Sequence, residues 1–112
     1  MNELITKKCT ACSGDTPVLD TASINQYLSS LNHWELNADH TEIKRTFNFK
    51  NYGQAMAFTN TVAWLAFKEG HHPDMIVSYN RCTVRFTTHA INALSENDFI
   101  CAAKVNDIFE HF

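Results

Sequence analysis

Apolar residues change their spacing several times along the chain, and each change marks an expected element. From Thr21, read as an N-cap, Ile24, Tyr27, Leu28 and Leu31 recur at helical spacing until Asn32, which delimits a short amphipathic helix. Trp34, Leu36 and Ala38 then alternate with polar residues, and after Asp39–His40 the alternation resumes at Ile43, Arg45, Phe47 and Phe49. Successive strand side chains point to opposite faces, so a hairpin of two strands accounts for both runs. Helical spacing returns from Tyr52 to Lys68, where Ala55, Phe58, Val62, Leu65 and Ala66 form one stripe and Met56, Ala63, Trp64 and Phe67 widen it. Gly70 fits the C-cap of that helix. Met75–Tyr79 and Thr83–Thr88 are rich in β-branched or aromatic residues, and Asn80–Arg81 between them reads as the turn of a second hairpin. Ser95 opens the last helix, with Asp98 placed as in a capping box ahead of Phe99, Ala102, Val105, Ile108 and Phe109.

The predicted order is α-β-β-α-β-β-α. Short hairpins favour antiparallel pairing, and amphipathic helices bury their stripes on one side of a sheet. The expected class is therefore α+β, a single domain with a four-stranded antiparallel sheet and helices packed on one face. The wide stripe of the Tyr52–Lys68 helix implies burial on two sides, one against the sheet and one against a partner subunit. A homodimer or homotetramer is expected. Residues 1–18 are polar and aperiodic, with Gly14 and Pro17, and read as a flexible N-terminal arm ahead of a domain at 19–112.

Composition narrows the partners. Nine basic and twelve acidic residues give a formal charge of −3, which disfavours nucleic acid and anionic membrane surfaces and suits a small neutral ligand. No apolar run resembles a signal segment or a membrane span, so cytoplasmic residence is expected. Cys82 and Cys101 fall within apolar patterns and read as reduced core thiols, whereas Cys9 and Cys12 form a CTAC pair. No second Cys pair completes a structural zinc site, and no βαβ pattern follows to support a thioredoxin-like role. The pair reads as exposed thiols.

The segment from Glu69 to Asp98 holds three of the six histidines: His71, His72 and His89. His71 and His72 lie in the connection between the long helix and the third strand, and Pro73 restrains His72 to extended backbone. His89 lies where the fourth strand ends, so antiparallel pairing should bring it beside them. Three readings compete. A zinc site is disfavoured because the helical i, i+4 histidine pair of many catalytic sites is missing. Separate structural roles would explain each histidine but not their convergence. Acid–base chemistry uses the whole cluster, since imidazoles titrate near working pH. Asp98 is either a helix-capping carboxylate alone or also the group that orients a histidine. Tyr79 divides between filling the core and lining a pocket, with packing slightly favoured.

His71-His72-Pro73, then Tyr79, His89 and Asp98, resembles the signature of the pterin-4a-carbinolamine dehydratases, which in animals are also dimerisation cofactors of a homeodomain transcription factor. The resemblance runs from about Thr21 to Phe109 and includes Trp34-Glu35-Leu36 and the Phe-rich second strand. Phe67 departs from it, standing where the family often has a charge, for which Glu69 would substitute, and Met75 stands where some members have an aromatic. The resemblance implies a hydro-lyase that converts 4a-hydroxytetrahydrobiopterin, released by an aromatic amino acid hydroxylase, to quinonoid dihydropterin and water. It implies no metal and no cofactor, His71, His72 and His89 as the catalytic acid and base, and Glu69, Pro73, Asp74, Tyr79 and Asp98 as substrate-binding residues. The alternative it carries is an interaction module or transcriptional coactivator working through helix-mediated assembly.

Overall fold

The computed structural model of the chain describes residues 3–112. Its main elements are α1 (Thr21–Ser29), β1 (Glu35–Leu36), β2 (Ile43–Asn48), α2 (Tyr52–Glu69), β3 (Asp74–Ser78), β4 (Arg81–Phe86) and α3 (Glu96–Glu110). The strands form one antiparallel sheet in the order β1-β2-β4-β3. The α+β class and the order of helices and strands are those that the hydrophobic spacing predicts.

Alternation decides which face of the sheet is covered. Ile43 and Phe47 of β2 and Cys82, Val84 and Phe86 of β4 are buried, while on the other face Thr46 and Thr83 share a hydroxyl hydrogen bond of 2.8 Å across the two strands. Helix α2 lays Ala55, Phe58, Val62 and Ala66 against the apolar face, and α3 adds Phe99, Ile100, Ala102 and Val105. Phe47, Phe58 and Phe109 meet with ring centroids 4.7 to 5.9 Å apart, within the range of favourable aromatic pairs. Arg45, which shares the inward face, lays its guanidinium 4.3 Å from the Phe47 centroid. It also donates to Asn106 Oδ1 at 2.6 Å. The same oxygen accepts from the indole N–H of buried Trp34 at 2.8 Å, so one amide satisfies two polar groups that the core would otherwise strand.

The other side of α2 is open. Trp64 and Phe67 stack at 5.4 Å and are 60% and 72% exposed.

Local chemistry moves some boundaries from their expected places. Asp20, not Thr21, caps α1, because its carboxylate accepts from Ser23 N at 2.8 Å. The second hairpin turns at Tyr79–Asn80, since Arg81 already pairs with Ser78 in the ladder. Tyr79, slightly favoured as a core residue, is therefore an exposed turn residue. Gly70 does cap α2, with φ of +67°, a left-handed conformation that glycine adopts without a Cβ penalty.

The first two residues of the expected 1–18 arm lie outside the described residues. Over the rest of it, a 3₁₀ turn at Glu3–Thr6 buries Leu4 in the core. The following segment lies on α3: Asn97 accepts from Thr10 N through Oδ1 at 3.1 Å and donates to Thr10 O through Nδ2 at 2.7 Å. These contacts answer polar backbone with a polar side chain, so no hydrophobic period announces them. Among the described residues, no helix is long and apolar enough to cross a membrane.

Candidate active site

The site grows from the open end of the β3–β4 hairpin. The ladder ends at the Asp74–Arg85 pair, three positions after His71 and three before Thr88, so the two chains leave the sheet facing each other. Gly70 turns the chain out of α2, and the next residue, His71, is buried with its imidazole stacked on Phe86 at 5.9 Å and an interplanar angle of 9°. Its Nε2 lies 2.5 Å from Asp98 Oδ1.

Asp98 is fully buried, and a buried carboxylate is costly unless donors surround it. Three do: His71 Nε2 on Oδ1, and Thr88 Oγ1 at 2.7 Å and Ser95 N at 3.0 Å on Oδ2. The Ser95 N–H contact is the capping-box bond that the spacing predicts at the start of α3. Thr88 Oγ1 is also 2.7 Å from Ser95 Oγ, which closes a polar network at the sheet end. Asp98 is thus both a helix-capping carboxylate and a partner of His71. Because a carboxylate only accepts, Nε2 carries the proton in neutral His71 and Nδ1 keeps the lone pair.

The other expected site residues are placed as follows. His72 is exposed and follows His71 directly, and Pro73 is half-buried. His89 is exposed and begins a short 3₁₀ turn, His89–Ile91, rather than ending a strand. It directly follows Thr88, which bridges to Ala93. The three histidines thus share one end of the sheet, with His71 inside and the other two at the solvent boundary.

Asp74 is exposed in β3. Tyr79 sits at the opposite, closed end of the hairpin, and the structure does not bring it to His71. Glu69 turns to the arm: its carboxylate accepts from Cys9 N at 2.9 Å and from Lys104 Nζ at 2.8 Å. Burial pushes the Glu69 carboxyl up, but the Cys9 N–H and the Lys104 ammonium outweigh it and hold the group below the ordinary carboxylate value. It lines a groove of about 390 Å³ with Trp64, Leu65, Lys104 and Ile108.

Thr88 and Phe86 are the residues of this constellation that the sequence reading passed over. A signal for both was available. The inward positions Cys82, Val84 and Phe86 continue at period two to Thr88, which places Thr88 inward and His89 outward.

Among the described residues, no three His, Cys, Asp or Glu side chains converge as a metal ion would require. What the arrangement offers is an α+β scaffold holding a carboxylate-anchored imidazole and two further imidazoles at one sheet end, the equipment of proton-transfer chemistry.

Comparison with known proteins agrees with that class. The family described as pterin 4 alpha carbinolamine dehydratase matches residues 17–108. A protein of Nitrosospira multiformis with the provisional name pterin-4-alpha-carbinolamine dehydratase is 49% identical over 98% of this chain and 96% of its own. One of the same provisional name from Nitrosomonas eutropha is 54% identical over 93% of this chain and 91% of its own. Among solved structures, a transcriptional coactivator/pterin dehydratase from Brucella melitensis superposes with a TM-score of 0.78 at 34% identity, covering 82% of this chain and 98% of that one. The chain belongs to the pterin-4-alpha-carbinolamine dehydratase family. It is accordingly an enzyme of the hydro-lyase class.

Proposed function

We propose that the chain dehydrates 4a-hydroxytetrahydrobiopterin, or a closely related reduced pterin, by histidine acid–base catalysis, and so serves tetrahydrobiopterin recycling after an aromatic amino acid hydroxylase. The observation that carries this reading is the buried His71–Asp98 pair with His72 and His89 beside it. The reaction moves protons only: the departing 4a-hydroxyl must gain one, N5 must lose one, and no electrons leave the pterin. An imidazole whose Nε2–H is fixed by a carboxylate presents Nδ1 as an oriented base, and a more exposed imidazole can supply the acid. Of the expected substrate contacts, Asp98 is already engaged with His71, and Pro73 and Asp74 directly follow the His71–His72 pair.

Dehydration of freshly generated hydroxypterin, followed optically with and without the protein, tests the reading. His71→Ala and His89→Ala should each lower turnover by about 10²–10⁴ with an unchanged circular-dichroism spectrum. Full activity in both would refute the assignment.

A second reading, assembly through α2, is favoured by the exposed Trp64–Phe67 stack. The occupant of that face is a second copy of the chain in a homodimer or homotetramer. Trp64→Lys should then lower the molar mass measured by light scattering, whereas a His71 variant should keep the wild-type mass.

A further inference from the structure

Sulfur gathers where the arm meets the first turns of α3. Cys9 Sγ lies 3.4 Å from Cys101 Sγ, although the two residues are 92 positions apart. Neighbouring bonds hold them in register: Thr10 is clamped by the Asn97 amide on one side, and Cys9 N–H is held by Glu69 on the other. Cys12, the other member of the CTAC pair, is directed elsewhere. Its sulfur is 3.0 Å from Asn97 Nδ2 and 3.9 Å from Thr10 O. The motif therefore does not pair within itself, and its first thiol faces a core thiol instead.

A disulfide has an S–S distance of about 2.0 Å, so the 3.4 Å contact needs a further approach of about 1.4 Å. Cys9 is the partly exposed member of the pair and Cys101 the buried one, so the Cys9 side chain is the freer of the two to move. The Cys9 sulfur and burial together push the Cys101 thiol above its ordinary value, which leaves Cys101 as the protonated partner and Cys9 as the sulfur a reagent meets first.

We propose that Cys9 and Cys101 form a reversible disulfide site, oxidised by a low-molecular-weight disulfide such as glutathione disulfide, that fastens the N-terminal arm to α3. The Cys9 thiolate attacks one sulfur of the reagent, forming a mixed disulfide and releasing one thiolate. Cys101 then attacks Cys9 Sγ and expels the second, which takes up the Cys101 proton. Two protein thiols are oxidised, and one small disulfide is reduced to two thiols. The fastening lies beside the candidate active site, because Glu69 is two residues before His71 and Asn97 adjoins Asp98, yet it does not depend on which reaction that site performs.

The test uses the full chain, reduced, freed of reductant, exposed to glutathione disulfide and digested with trypsin without reduction. Fragments 9–44 and 86–104 should be joined, and the intact mass should fall by two hydrogens. Two of the four free thiols should remain titratable in denaturant. Cys12→Ser should give the same join, Cys101→Ala should abolish it, and dithiothreitol should reverse it. A bridge inside fragment 9–44, stable glutathione adducts in place of the join, loss of the join in Cys12→Ser, or four thiols persisting after exposure would each overturn the proposal.

Discussion

Asp98→Asn changes almost no volume and removes one capacity, that of accepting from three donors at once. An amide has one acceptor oxygen and a nitrogen that only donates. The least costly arrangement keeps the oxygen on Ser95 N–H and Thr88 O–H, because the backbone N–H has no other acceptor there, whereas Thr88 already lies 2.7 Å from Ser95 Oγ. The amide nitrogen then faces His71, which must turn over its tautomer so that Nε2 accepts and Nδ1 carries the proton. Three hydrogen bonds to a charged group become neutral ones, each weaker by about 1 kcal/mol. Relief from burying a charge returns part of that, leaving a net loss of about 1–3 kcal/mol. With a urea m-value of about 1–2 kcal/mol/M, the unfolding midpoint by circular dichroism should fall by about 1 M. A base whose lone pair has moved to the wrong nitrogen should lower kcat by about 10–100-fold, and two-bond proton–nitrogen NMR correlations of the imidazole should report the inverted tautomer. Wild-type turnover together with an unmoved urea midpoint would show that the carboxylate neither orients His71 nor stabilises the sheet end.

Other perturbations probe the supports of the site. Gly70→Ala puts a Cβ at φ +67° where nothing lies within 4 Å, so only backbone strain opposes it, and differential unfolding should show a loss of about 1 kcal/mol. Asn106→Ala strands the Trp34 indole N–H and the Arg45 guanidinium together and should cost about 1–3 kcal/mol in the same measurement. Glu69 has its folded pKa below the ordinary carboxylate value, so its stabilisation is complete above that ordinary value and is lost as pH falls through the folded pKa. The urea midpoints of wild type and Glu69→Gln should therefore differ at pH 7 and converge in acid, once the pH has fallen below the folded pKa.

The hydrophobic periods carried most of the fold because each element has one dominant buried stripe. Phe47, Phe58, Val84 and Phe99 lie where spacing alone puts them, and Gly70 announced the end of α2 through its conformational licence. The site was legible where chain direction sufficed: the hairpin had to bring the neighbourhood of His71 to that of His89, and the capping pattern had to place Asp98 at the start of α3. The choice of which histidine enters the interior was harder to read, because it depends on a ladder that begins at Arg81 and on a 3₁₀ turn after Thr88. A shift of one residue in a strand exchanges its two faces, and that shift separates an inward Thr88 from an outward His89. The arm was opaque for a different reason. Asn97, Glu69 and Cys101 hold it through side chain to backbone and sulfur contacts, which leave no trace in a pattern of apolar positions.

The two tryptophans occupy opposite environments, and this gives the molecule two separate optical signals. Trp34 is 7% exposed and Trp64 is 60% exposed, so their emission should differ at the blue and red edges of one spectrum. Denaturation must move chiefly the blue component as Trp34 meets water. Anything that settles over α2 must instead shift the red one, and a single cuvette can tell loss of the core from capture of the outer helix face without a label.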